Sequence, residues 1–264
     1  MSRIEKKFRS LKDAGETALV GFVTAGDPDP VKSLDIITAM CKSGLDVLEL
    51  GIPFSDPTAD GPVIQRSSSR ALAAGMTLPK VLAMTESVRK TTDIPIILFS
   101  YYNPIYAYGP ERFCNDAVKA GADGVLIVDL PPEESDELTR FFKDDFAIIR
   151  LIAPTTPKVR MKKIAESAKG FLYLVSKTGV TGSDGLNTVE IESIYNELCS
   201  LSSTPVCIGF GISTNDDVKK ISQYSNGVVI GSAFERTIEG NIENSDLVSV
   251  ISKQVSEYKK ATKK

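Results

Sequence analysis

Eight short runs of β-branched and apolar residues, separated by stretches with helical spacing, limit the fold of this chain more than any other feature. The runs lie at 18–23, 46–50, 95–99, 124–128, 146–152, 171–176, 205–208 and 227–230. Between them, Met161, Ile164, Ala165 and Ala168 repeat at the i, i+3, i+4, i+7 spacing of a helix with one apolar face, as do Ile191, Ile194, Tyr195 and Leu198. Pro79 and Pro110 stand where a helix would begin, because a first-turn residue needs no N–H. Thr214 and Asp217 have the spacing of a capping box, and a last helix is expected over 245–258. Eight strand–helix repeats predict one α/β domain spanning 1–264, a closed (β/α)₈ TIM barrel. The alternative, an open doubly wound sheet, would bring a glycine-rich dinucleotide turn after the first strand. TAGDP at 24–28 is not that turn.

The repeat spacing is uneven. The second and third runs start nearly 50 residues apart, and the excess is the stretch 51–75, GIPFSDPTADGPVIQRSSSRALAAG. We expect an extended loop and an extra helical segment there. In a barrel this segment leaves the C-terminal end of a strand, the rim where catalytic groups collect.

Composition narrows the chemistry. The chain is 42% hydrophobic and 25% charged, with a net charge of −3, so it has material for a large core and no excess of basic residues for nucleic acid. No apolar run reaches the roughly 20 residues of a membrane span, and the first residues, MSRIEKKFRSLKD, lack the apolar centre of a secretory signal. The four cysteines form no CxxC pair, so a cytoplasmic location with reduced thiols is expected. Histidine is absent, which excludes Ser–His–Asp triads and His-ligated zinc and leaves proton transfer to carboxylates, Lys, Tyr or Cys. Asp27, Asp56, Asp60 and Asp129 lack the tight spacing of a metal cluster.

Two features carry chemistry. Glu49 lies between leucines in the second run, so it is expected to be buried with its pKa raised, as suits a group that both gives and takes a proton. Asp60, in an Asp–Gly pair on the long loop, is by itself an ordinary turn residue, as is Asp56 before Pro57. Their interest lies in a stiff acidic loop beside Glu49. The second feature is a set of glycine-rich turns: KTGVTG at 177–182, GFGIS at 209–213, and Gly231–Ser232. Such turns let backbone N–H groups approach an anion, and barrels often bind phosphate after strands seven and eight. They are also the tight turns any barrel needs.

Seven segments are similar to those of the tryptophan synthase alpha family: GFVTAGDP (21–28), LELGIPFSDPTADGPVIQ (48–65), YYNPIYAYG (101–109), GVLIVDLP (124–131), FLYLVSKTGVTG (171–182), GFGIS (209–213) and GSAF (231–234). They occur in order over essentially the whole chain. The resemblance implies a lyase of tryptophan biosynthesis that cleaves indole-3-glycerol phosphate to indole and glyceraldehyde 3-phosphate. It implies Glu49 as the central acid–base residue and Asp60 as the second carboxylate. It implies an indole pocket of Phe22, Tyr101, Leu126, Val128, Ile152, Tyr173 and Phe210. Gly182, Gly211, Gly231 and Ser232 would hold phosphate, with Thr181 closing over the site onto Asp60. It also implies a PLP-dependent beta subunit in an α₂β₂ heterotetramer, met through Pro53 and Asp56, with no cofactor in this chain.

One departure stands out. SDGL at 183–186 replaces the Ala-Arg type of continuation found in many members, which bears on lid closure and not on the two carboxylates. Three other readings share this sequence: a Schiff-base aldolase using Lys177, a silent barrel that only binds a beta subunit, and a stand-alone lyase that releases free indole.

Overall fold

The computed structural model describes residues 1–143, 145–176, 188–209 and 211–263. Its eight strands are β1 (Ala18–Thr24), β2 (Val47–Gly51), β3 (Ile96–Ser100), β4 (Gly124–Ile127), β5 (Ala147–Ile152), β6 (Leu172–Val175), β7 (Val206–Gly209) and β8 (Gly227–Ile230). Each pairs in parallel with the next, and β8 closes onto β1 to complete the barrel. The helices run in chain order as α1 (Arg3–Asp13), α2 (Pro30–Lys42), α3 (Pro62–Ala73), α4 (Leu78–Arg89), α5 (Tyr102–Tyr108), α6 (Pro110–Lys119), α7 (Asp136–Thr139), α8 (Lys158–Ser167), α9 (Thr188–Leu201), α10 (Asn215–Ser222), α11 (Ser232–Gly240) and α12 (Leu247–Ala261).

Strand periodicity divides the apolar residues into two cores. Side chains alternate across a strand. Val20, Phe22, Val47, Ile97, Phe99, Leu126, Ile149, Tyr173, Cys207 and Val229 fill the barrel interior. Leu19, Leu48, Leu50, Leu98, Val125, Ile148, Leu174, Ile208 and Val228 face outward into the layer beneath the helices. The N-terminal mouth is filled by α1, which sets Ile4, Phe8 and Leu11 into the inner cluster, the Phe8 ring 5.7 Å from that of Phe171. Arg3 and Arg89 both bind Asp123, which also accepts the Ile96 N–H at the start of β3.

Most expected elements occur within a residue or two of their expected positions. Pro95 and Pro205 lie just before β3 and β7; lacking an N–H, each offers only its carbonyl, to Leu48 and Leu172. The expected capping box is present: the Thr214 hydroxyl accepts the Asp217 N–H, and the Asp217 carboxylate accepts that of Thr214. Pro110 occupies the first turn of α6, and Pro79 that of α4. The last helix continues to Ala261, past the expected end at 258, because Leu247, Ile251, Val255 and Tyr258 keep one buried face through an additional turn. The long excursion after β2 resolves into an arm, residues 52–61, and the additional helix α3, which packs against α11 and β1.

Ile152 corrects an expectation. It belongs to the outer layer under the helices, not to the barrel interior, because the alternation of β5 turns Ile149 and Leu151 inward instead.

One close approach fixes the β4–β5 pairing. A Cβ added at Gly124 would stand 2.6 Å from the Ala147 carbonyl oxygen and 3.3 Å from Ile97 Cδ1. The first obstacle is backbone and cannot swing away. Gly124→Ala is therefore expected to destabilise the barrel by about 3 kcal/mol, the upper range for overpacking. Urea unfolding tests this, and an unchanged midpoint would rule out the close approach.

Candidate active site

The site is built at the C-terminal ends of the strands. Glu49 is the third residue of β2, so the alternation that sends Leu48 and Leu50 outward sends its carboxyl into the barrel. It is fully buried, in register with Phe22 on one side and Ile97 on the other. Neither carboxyl oxygen has a hydrogen-bond partner among the described residues. Burial with no compensating donor disfavours the ionised form and pushes the pKa up to about 8. Glu49 thus holds a proton at neutral pH. Burial likewise raises the Tyr173 hydroxyl and the Cys207 thiol, and the Glu49 charge adds to both.

Asp60 reaches the site on the arm. The arm is built from turns: the Thr58 N–H donates to the Asp56 carbonyl, and the Asp60 N–H to that of Pro57. Tyr101 at the end of β3 fastens it. The Tyr101 hydroxyl accepts the Ala59 N–H at 2.9 Å and bonds the Asp60 carboxylate, and its ring lies 5.3 Å from that of Phe54. Gln65, one turn into α3, donates to the Asp60 carbonyl. Desolvation raises the Asp60 pKa to about 6, with the Tyr101 hydroxyl opposing it. The charges of Glu49 and Asp60 both raise the Tyr173 hydroxyl, so the two acids lie near one residue, with different proton affinities.

The interior around Glu49 is apolar: Phe22 and Phe99 pack edge to face at 5.0 Å, in one cluster with Leu126 and Tyr173 and with Val128 against it. Two glycines make room for the rings. A Cβ at Gly51 would fall 2.7 Å from the Phe22 ring, and one at Gly209 would fall inside the Tyr173 phenol. Gly231 lies against Phe22 and precedes the N-terminus of α11 at Ser232, while Gly211 follows β7 with φ +76°. Because β7 and β8 are paired, these two turns are neighbours on the rim. Among the described residues no side chain caps the start of α11; the Gly231 carbonyl accepts the Phe234 and Glu235 N–H groups, which leaves those of Ser232 and Ala233 for an anion.

Phe22, Leu126 and Tyr173, with Val128 packed against them, line the interior into which Glu49 projects, and Asp60 is held at Tyr101. Tyr101 joins them chiefly as the anchor of the arm. Ile152 lies outside the cavity. Pro53 is buried within its own chain, so it shapes the arm and presents no face to a partner, whereas Asp56 is exposed. Lys177, Thr181, Gly182, SDGL at 183–186 and Phe210 lie outside the described residues. Sequence reasoning missed Phe99, legible from the period of β3. It also missed Ile64 on α3, which packs against the inner cluster and carries no such signal. Among the described residues, no group of three or more His, Cys, Asp or Glu is placed to hold a metal, and no helix is long and apolar enough to cross a membrane.

Glu49 has a stability consequence whose sign is fixed. Its native pKa is raised above the ordinary 4.5, so the native state is favoured when protonated, and stability is lost as pH climbs from about 4.5 to about 8. Glu49→Gln removes this loss. Its advantage over the parent chain is expected to be near zero at pH 4 and to grow to as much as about 5 kcal/mol by pH 8. Denaturant melts at the two pH values check this; a pH-independent difference would contradict it.

The family model described as tryptophan synthase alpha chain matches residues 8–263. The tryptophan synthase alpha chain of Desulfatibacillum aliphaticivorans is 60% identical over 264 residues, all of both chains. That of Desulfosudis oleivorans is 61% identical over the same span. A crystal structure of tryptophan synthase subunit alpha from Legionella pneumophila superposes with a TM-score of 0.91 at 39% identity, covering 99% of this chain and 98% of that one. With this likeness running from end to end, the chain belongs to the tryptophan synthase alpha chain family.

Proposed function

We propose that the chain is a carbon–carbon lyase that cleaves indole-3-glycerol phosphate to indole and glyceraldehyde 3-phosphate, with Glu49 and Asp60 handling the protons. The observation that carries this reading is the buried Glu49 carboxyl inside the barrel, with no hydrogen-bond partner among the described residues and protonated at neutral pH.

Retro-aldol cleavage needs the indole ring carbon that bears the side chain to become a leaving group. Glu49 delivers a proton to that carbon. The ring nitrogen becomes positively charged, and the ionised Asp60 carboxylate stabilises it. Glu49, now a carboxylate in an apolar wall, takes the proton of the adjacent glycerol hydroxyl. The new C=O forms, the C–C bond breaks, and its electron pair returns to the ring, neutralising the nitrogen. Glu49 ends protonated, ready for another turnover. Two acids with separated proton affinities suit these two tasks. Phe22, Phe99, Leu126, Val128, Tyr173 and Ile64 supply the flat surface for the ring. The turns at Gly211 and Gly231–Ser232 supply N–H groups for the phosphate, together with Gly182.

The family also supports a PLP-dependent beta subunit as partner, in an α₂β₂ assembly in the cytoplasm, with the cofactor in the partner. The exposed Asp56 on the arm fits that contact.

Glu49→Gln and Asp60→Asn are each expected to lower kcat for indole release by about 10²–10⁴, the usual worth of a positioned acid or base. Substantial turnover in Glu49→Gln would remove Glu49 from its role. The active form has Glu49 protonated and Asp60 ionised. In kcat/KM, activity should therefore rise with pH through about 6 and fall through about 8. A pH–rate profile with no descending limb near 8 would contradict the assignment.

A further inference from the structure

On the outer side of the arm lies a second buried pair of carboxyls that the chemistry does not use. Glu235, in the first turn of α11, is fully buried. Its Oε1 accepts the Thr24 N–H at 2.6 Å, at the end of β1. Among the described residues no donor reaches Oε2, and the acid beside the carboxyl is Asp27, in the turn after β1. Asp27 is itself buried, and both its oxygens are held by the Arg70 guanidinium at 2.7 and 2.8 Å. Arg70 lies on α3 and also donates to Glu239 of α11, which Arg66 of α3 grips with two bonds at 2.6 and 2.8 Å. A further tie, Thr24 Oγ1 to Ser67 Oγ at 2.7 Å, joins β1 to the same helix.

Two carboxyl groups in contact in a dry interior cannot both be charged. The Arg70 fork occupies both Asp27 oxygens while Glu235 Oε2 has no donor among the described residues, so the shared proton belongs on Glu235. We propose that Glu235 is a positioning residue whose hydroxyl donates to Asp27, locking α3, and with it the Asp60 arm, to the helix that receives the phosphate. α3 begins two residues after Asp60, and α11 begins at Ser232. The lock therefore sets the distance between the two ends of the substrate. This rests on the reading of the site given above.

The surroundings support the neutral form. Burial, then the Asp27 charge, raise the Glu235 carboxyl well above its ordinary range. Asp27 from the β1 turn is the ionisable group that faces it. α3 presents Arg70 to Asp27, and Arg66 and Arg70 together hold Glu239 down at about 2. α12 meets α11 through Tyr258, whose ring packs on Phe234 and whose hydroxyl donates to the Ser213 carbonyl.

The test compares Glu235→Gln with Glu235→Leu in the full chain. Glutamine reproduces both bonds, its carbonyl accepting from Thr24 and its amide donating to Asp27. It is expected to keep kcat and KM within about twofold of the parent, whereas leucine, which keeps only the bulk, lowers kcat by about tenfold at little change in KM, the range for a displaced catalytic group. Hydrogen exchange over residues 53–61, read without substrate, is expected to quicken in the leucine variant and not in the glutamine one. Equal losses in both variants, or an unaltered arm and full kcat in Glu235→Leu, would overturn the proposal. The exchange readout needs no turnover. If the parent chain failed to cleave indole-3-glycerol phosphate, the functional reading would fall and the lock would still be judged.

Discussion

A carboxyl group enclosed in an apolar barrel with nothing to bond to keeps its proton, and the rest of the site is arranged around that constraint. Glu49 lies where a leucine would pack better. The fold tolerates this because β2 is held on both sides by full-length pairing with β1 and β3. Strand alternation leaves the side chain no outward alternative. The instability is local, and the surrounding apolar cores offset it.

The second acid is treated differently. Asp60 is not built into a strand. It arrives on an arm fastened at three points: Tyr101 at the tip, Gln65 at the start of α3, and the Arg66–Arg70 fork further along that helix. A strand fixes a side chain by registry, and an arm fixes it by its anchors. Half-burial and the Tyr101 hydroxyl keep Asp60 the stronger acid of the two. The fold thus separates two chemically similar groups by giving one no donors and the other a tyrosine.

The sequence made part of this legible and hid the rest, for identifiable reasons. All eight strands could be read, since each is a short, mostly apolar run between helical stretches, and Glu49 stood out as a carboxylate between two leucines in one of them. The barrel walls at Phe22, Leu126 and Tyr173 followed from the family pattern. Ile152 was misplaced by one residue of phase, which in a strand is the difference between inside and outside. Pro53 was expected at a partner contact from the family resemblance, and in this chain it is buried. The role of Tyr101 depends on where the arm lands. Glu235 and Asp27 lie 208 positions apart in the chain, and only the closure of β8 onto β1 brings them together. No local pattern announces such a pair.

With Ile4, Phe8 and Leu11 seated in the lower mouth, α1 stoppers that end of the barrel with side chains. A molecule bound for Glu49 therefore comes from the opposite rim, where the Asp60 arm stands, so a helix that precedes the first strand decides the side from which the interior is reached.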